Sequence, residues 1–147
     1  MTVQELADKL KAFDIVGEAR AVISKTSREY VDRNKKQMLK GESREQGLLI
    51  GSYRSPMYRD MKLQLNPEAK GNVDLKLTGQ FHAGLFAELE GDNIMMTSRD
   101  KKAGGLEEKY GDRIYGLNDE NQTDYNSTVF LPEFLAVIEQ KTGLSAN

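Results

Sequence analysis

Apolar residues at helical spacing open the chain. Residues 3–12 are predicted to form a first helix, since its apolar residues lie on one side: Val3, Leu6 and Leu10. The residues Thr2-Val3-Gln4-Glu5 at its start have the pattern of a capping box, in which side chains satisfy free backbone N–H groups.

A longer second helix is predicted from Ile15 to about Lys40. Asp14 is a suitable N-cap, and Gly41 is typical of the residue that follows a helix C-terminus. Its apolar residues recur at the helical period of about 3.6 residues. They are Ile15, Val16, Ala19, Val22, Ile23, Tyr30, Val31 and Met38.

Residues 41–76 are predicted to form an extended arm with one or two short strands. Glycines and prolines interrupt this segment, and irregular segments of such length are commonly functional. Aromatic residues and methionines beside basic residues suit a protein interface. The candidate interface residues in the arm are Tyr53, Tyr58, Met61 and Lys62.

A β-hairpin is the next predicted element. Thr78 is expected to cap a short helix, Gly79 to Gly84, and strands Leu85–Leu89 and Ile94–Ser98 then flank a turn at Gly91-Asp92-Asn93. An exposed hairpin edge is suited to strand addition between subunits. The candidate interface residues in the Glu88 to Thr97 hairpin are Glu88, Glu90, Ile94 and Met96.

The C-terminal part is predicted to alternate loops with short helices. Gly104-Gly105 is expected to break the chain before a helix from Leu106 to Tyr110, residues 118–127 to form a polar loop, and Pro132 to Lys141 the last helix. The predicted fold is therefore a single α+β domain over residues 1–147. Its long N-terminal helix packs on a small antiparallel sheet, with residues 1–40 helical, 41–76 extended, and 77–147 forming the hairpin and further helices.

Composition limits the possible chemistry. The chain has 147 residues, 30% of them charged, and no cysteine, which excludes disulfides and thiolate metal sites. No apolar run reaches the roughly 18 residues of a membrane span. A capping box also stands where a signal peptide would begin, so we expect a protein made in a reducing cytoplasm.

The charge is distributed unevenly along the chain. Residues 25–76 carry 12 Lys and Arg against 7 Asp and Glu, a net charge of +5, whereas residues 77–147 carry 6 against 12, a net charge of −6. This asymmetry fits two complementary faces that meet when identical copies pack head to tail. It also leaves open a nucleic-acid-binding accessory protein that uses the basic stretch 25–44.

No residue set predicts catalysis. His82 is the only histidine and has no evident partner for general-base catalysis. Glu68 and Asp74 leave open a Mg-dependent hydrolase, although their spacing is tight, and Asn118 to Asn126 lacks the glycine and terminal glutamate of a calcium loop. We therefore expect no enzyme activity, no cofactor and no metal.

A series of short motifs resembles the small neck or tail-completion proteins of tailed bacteriophages, which include virion morphogenesis and minor tail components. The similarity covers roughly residues 45–143, and the arm with Tyr53, Tyr58 and Lys62 belongs to it. The motifs are Leu77-Thr78-Gly79-Gln80-Phe81, the hairpin, Leu106 to Tyr110-Gly111, Ile114-Tyr115-Gly116-Leu117 and Pro132-Glu133-Phe134-Leu135.

The resemblance implies a structural virion protein at the head–tail junction or tail terminus. It implies an α+β fold, ring-like homo-oligomers that contact other neck or tail proteins, and no enzymatic activity. The expected location is the virion, assembled in the host bacterial cytoplasm, with no membrane and no direct nucleic-acid contact.

Overall fold

Helices surround one two-stranded sheet in residues 2–144, the part of the chain that the computed structural model describes. The mixed α+β class is thereby confirmed. The elements in chain order are α1 (Val3–Ala12), α2 (Ile15–Lys25), α3 (Ser27–Leu39), α4 (Pro56–Leu65), α5 (Gln80–Ala83), β1 (Leu85–Glu90), β2 (Asn93–Ser98), α6 (Ala103–Tyr110), α7 (Asp119–Tyr125) and α8 (Leu131–Thr142). None of the helices in this range is long and apolar enough to cross a membrane.

The first helices begin where the sequence predicts. The capping box of Thr2 and Glu5 is formed, and the Asp14 side chain accepts from the N–H of Gly17. The prediction of one helix from Ile15 to Lys40 was wrong, because Thr26 leaves the helical conformation, with a ψ of 15°, and separates α2 from α3. The Thr26 hydroxyl bonds the carbonyl of Val22 and lies 2.7 Å from the Tyr125 hydroxyl. A buried threonine that bonds back into its own helix commonly bends it.

Helix α3 is the centre of the core and packs against β1 and α7. Ile114 and Met38 are fully buried, and the aromatic rings of Tyr30 and Tyr125 meet edge to face at 5.3 Å. The other apolar side chains of this cluster are Val31, Ile50, Val73, Leu75, Phe81, Leu85, Met96, Ala103, Tyr115 and Leu117.

Two buried amides of α3 hold the irregular segment 116–118. The Gln37 side chain donates to the carbonyl of Gly116 and accepts from the N–H of Asn118, both at 2.9 Å. Asn34 accepts from the N–H of Gly116 at 3.0 Å. Because these backbone groups have no strand partner, the amides give them the hydrogen bonds that burial requires.

The extended arm predicted for residues 41–76 was wrong, because α4 occupies its centre. Ser55 caps this helix by accepting from the N–H of Tyr58, and Pro56 takes the first turn, where its missing N–H costs nothing. The strand content of the segment is limited to isolated bridges: Glu42 with Leu49, and Ser52 with Asn72.

The hairpin is confirmed, with Glu90 paired to Asn93 across the turn. The helix before it is also present, but its N-cap is Gly79, with a left-handed φ of 88°, and not Thr78. Glycine adopts this conformation without steric cost.

The predicted break at Gly104-Gly105 was wrong, since both glycines lie inside α6. Each glycine weakens a helix by about 1 kcal/mol relative to alanine. The buried Ala103 and the half-buried Leu106 attach the helix to the core and offset that cost.

The predicted polar loop 118–127 was also wrong, since α7 lies there. Asn118 caps α7 by accepting from the N–H of Asn121, and only Tyr125 of this helix is buried, so its sequence shows no apolar stripe. A wide helical turn, Asn126–Phe130, joins α7 to α8 ahead of Pro132. Such turns accommodate a residue that cannot donate to the preceding turn.

We predict that Thr26→Val lowers the free energy of unfolding by about 1–3 kcal/mol, because it leaves the buried Tyr125 hydroxyl without its partner. Urea denaturation measures this loss. Thr123→Val, on the exposed face of α7, is the control and should change stability by less than about 0.5 kcal/mol. Equal losses in the two variants would contradict the role of the hydroxyl pair.

Candidate functional site

A buried ion pair attaches α4 to the domain. The Lys62 ammonium lies 2.8 Å from the Asp74 carboxylate, and the two residues are 4% and 0% exposed. Lys62 also donates to the carbonyl of Lys76, and the Asn66 amide donates to the carboxylate of Asp74 and to the carbonyl of Leu39. Lys62 is the only buried residue of α4, so this helix is held by a charge and not by an apolar face.

The same aspartate fixes the backbone that follows it. Its carboxylate accepts from the N–H of Lys76, and its carbonyl lies 2.9 Å from Nε2 of His82. Leu75, the residue between Asp74 and Lys76, is held at a φ of 59°. This left-handed conformation costs a branched residue roughly 1–3 kcal/mol and persists only where surrounding contacts impose it.

The environment shifts the pKa of Asp74 and the pKa of His82. Burial alone would raise the pKa of Asp74, but hydrogen bonds from Lys62, Asn66 and the backbone of Lys76 outweigh it and hold the pKa below its usual value. Burial lowers the pKa of His82, so its imidazole is neutral and Nε2–H donates to the Asp74 carbonyl. His82 therefore has a structural role in packing.

A cleft of about 430 Å³ opens between α4, segment 73–79 and α6. Its floor is apolar and aromatic, with Tyr53 and Tyr58 in edge-to-face contact at 4.8 Å. Burial is the main cause that raises the pKa of Tyr53, which keeps its hydroxyl protonated. The exposed cations of the cleft are Arg54, Lys76, Lys102 and Lys109, and one acid, Asp100, lines it.

An apolar stripe on α4 faces solvent beside this cleft. Met57, Met61 and Leu65 follow one another at four-residue spacing and are 83%, 42% and 72% exposed. Residues so spaced share one face of a helix, and such a face is ordinarily buried. We call these three side chains the α4 stripe.

The structure divides the interface residues that were predicted from the arm. Tyr53 and Tyr58 are half-buried in the cleft, and Met61 is exposed on the α4 stripe. Lys62 was a wrong choice for a surface contact, because its ammonium is buried against Asp74.

The candidate interface residues of the hairpin lie on two different faces, because side chains alternate along a strand. Glu88 and Glu90 are exposed on the outer face, which Met95 shares because it pairs with Glu88. Ile94 and Met96 point to the inner face, where Met96 is 7% exposed and belongs to the core. Met96 was therefore a wrong choice, since neighbouring side chains of a strand point to opposite faces.

Two residue sets of the site had little or no signal in the sequence. The four cations of the cleft come from three separate segments, so only folding brings them together. The α4 stripe had a local signal in its four-residue spacing, which the glycines and prolines around it obscured.

Several cations that nucleic-acid binding would need are paired with acidic side chains. In the basic stretch 25–44, Lys25 pairs with Glu133, Arg33 with Asp124 and Arg44 with Asp112, at 2.9, 2.7 and 3.4 Å. These acids reduce the positive field that phosphates would meet.

The two candidate magnesium ligands do not form a site. Asp74 is buried on Lys62, whereas Glu68 is exposed. Within residues 2–144 no three His, Cys, Asp or Glu side chains are grouped so that they could hold a metal ion.

We predict that Lys62→Met lowers the free energy of unfolding by about 3–5 kcal/mol, since it leaves the Asp74 carboxylate buried without its cation. Chemical denaturation measures the loss. Adding Asp74→Asn should recover part of it, because the buried charge is then gone. Lys101→Met, at an exposed turn, is the control. A loss below about 1 kcal/mol in Lys62→Met would show that the ion pair does not hold α4.

We predict that stability falls between pH 7.5 and 5.5 because of His82. Its pKa in the folded protein is lowered from 6.5 by burial, so the unfolded chain binds the proton first and acid favours unfolding. Chemical denaturation at several pH values measures the free energy of unfolding across the range. This free energy should fall less steeply with decreasing pH in His82→Gln than in the natural chain, and equal slopes would contradict the assignment.

No family model, curated protein or solved structure matches this chain significantly. Its function is therefore inferred from its motifs and from the geometry of the ion pair, the cleft and the α4 stripe.

Proposed function

We propose that this protein is a structural component of a tailed-bacteriophage particle, at the head–tail junction or the tail terminus. It acts by assembling with copies of itself into a ring and with other virion proteins. Its residues bind neighbours and catalyse no reaction.

The observation that carries the proposal is the orientation of α4. An amphipathic helix on a monomer turns its apolar side to the core. Here the inward contact is made by Lys62, while Met57 and Leu65 are 83% and 72% exposed. Leu77, which lines the cleft, is also 70% exposed. Contiguous exposed apolar surface of this kind is typical of protein interfaces.

The charges support contact between identical copies. Residues 25–76, which include α3 and α4, carry a net charge of +5, whereas residues 77–147 carry −6. Two copies packed head to tail would bring opposite charges together, and two copies packed with the same regions in contact would repel.

The order of short motifs supports the phage assignment. In the fold, Thr78-Gly79 leads into α5, the hairpin follows, Gly111 ends α6 and Pro132 lies in α8. These elements follow one another as they do in the neck and tail-completion proteins that the sequence resembles.

We predict that the double substitution Met57→Ser with Leu65→Ser abolishes or strongly weakens self-association and leaves the fold intact. Burial of each side chain is worth about 1.5–3 kcal/mol, so losing both weakens association at least about a hundredfold. Size-exclusion chromatography with light scattering over a concentration series measures the mass, and circular dichroism checks the fold.

Val3→Ser, which removes another exposed apolar side chain, is the matched control and should assemble normally. The place in the particle is tested by electron microscopy of phage particles assembled without the protein, which should show defective or missing tails. A chain that stays monomeric at all concentrations, together with normal particles in its absence, would contradict the proposal.

A further inference from the structure

The cleft is lined by cations that lack acidic partners. None of the ion pairs between described residues involves its four exposed cations, Arg54, Lys76, Lys102 and Lys109. Lys109 lies against the ring of Tyr110, which also lines the cleft. The cleft therefore presents a positive rim over an apolar and aromatic floor, which fits a ligand that carries both acidic and apolar groups.

The tip of the hairpin has the opposite character. Glu88 and Glu90 are exposed on its outer face beside Met95, which is 46% exposed. The Asp92 side chain is 98% exposed and lies 3.8 Å from Arg20, the one cation that contacts the tip in the described residues. The turn is thus an exposed, acidic end of the hairpin, and Met95 is an exposed apolar side chain on the strand that follows it.

The cleft and the acidic tip lie at opposite ends of the same hairpin. At the base, the carbonyl of Gly84 accepts from the N–H of Arg99, and the next residue, Asp100, lines the cleft. At the far end, Arg20 of α2 donates to the carbonyl of Gly91. Strand β1 lies between them, and its six residues span roughly 17 Å at about 3.3 Å per residue. The tip therefore does not reach the cleft of its own chain.

We propose that the cleft receives the acidic hairpin tip of a second copy of this chain. The proposal rests on the assembly function proposed above and names the contact that builds it. The acidic residues at the tip, Glu90 and Asp92, meet the positive rim, and Met95 meets the apolar floor. Exposed ion pairs are individually weak, so the charges set the partner and its orientation while apolar burial supplies most of the affinity.

This contact has a direct consequence for assembly. Because the two complementary surfaces are different and lie at opposite ends, each copy can bind one neighbour at its cleft and another at its tip. Such head-to-tail contacts close into rings when the rotation between copies allows it, and otherwise continue as filaments.

A charge exchange tests the contact. The cleft variant carries Lys102→Glu with Lys109→Glu, and the tip variant carries Glu90→Lys with Asp92→Lys. Each variant alone places like charges at the contact, so its self-association in sedimentation velocity at low salt should weaken about tenfold or more. Mixed at equal amounts, the two variants again offer opposite charges at every contact and should assemble as the natural chain does.

The matched control carries Lys9→Glu with Lys11→Glu, which makes the same change in net charge as the cleft variant on exposed positions of α1, outside both charged regions. It should assemble normally. Raising the salt concentration should weaken the natural assembly and narrow its difference from both variants, because exposed charges are screened.

The outcomes separate this contact from the wider function. If the cleft and tip variants assemble normally while Met57→Ser with Leu65→Ser does not, the contact proposed here is wrong and assembly through the α4 stripe stands. If the natural chain does not self-associate, the proposed assembly function fails as well. Labelled single-stranded DNA that binds the natural chain and not the cleft variant, with self-association equal in both, would assign the cleft to nucleic acid and overturn the contact.

Discussion

A buried ammonium and a buried carboxylate each require a partner of opposite charge. In this protein Lys62 and Asp74 are each other's partner. Moving either charge out of water alone costs several kcal/mol, so the position of one determines the position of the other. Asn66 completes the arrangement by joining the carboxylate to the end of α3 through the carbonyl of Leu39. The place of α4 on the domain, the course of segment 74–76 and one wall of the cleft all follow from this pair.

Holding α4 by a charge has a consequence for its apolar side chains. A helix attached by packing must use those side chains inward, but α4 is already attached, so Met57, Met61 and Leu65 remain available to a neighbour. The exposed stripe, the basic cleft and the acidic hairpin tip then lie on one molecule as separate surfaces. Apolar burial between copies would provide affinity, and the charges would provide orientation. This division suits a protein that must join its neighbours in one register.

Elements with strong local signals were predicted well, and those without them were not. The capping box at Thr2, the Asp14 cap and the hairpin depend on neighbouring residues and form where the sequence places them, although the turn is one residue shorter than predicted because Asn93 pairs with Glu90. Helices α4 and α7 were missed because neither has an inward apolar stripe: α4 buries a lysine and α7 buries only Tyr125. Within the candidate site, Tyr53 and Tyr58 lie in the cleft and Met61 lies on the stripe, whereas Lys62 and Met96 are buried.

The sequence by itself determined the α+β class, the position of the hairpin, most helix ends near the N-terminus and the uneven charge along the chain, because each of these depends on residues close together in sequence. The tertiary structure alone decided which charges are buried, which side of α4 faces solvent and which cations meet in the cleft. Lys62 lies in α4 and Asp74 in the irregular segment that follows this helix, and Lys102 and Lys109 come from another helical region. Burial and pairing depend on distances in space, and no local pattern in the sequence encodes those distances.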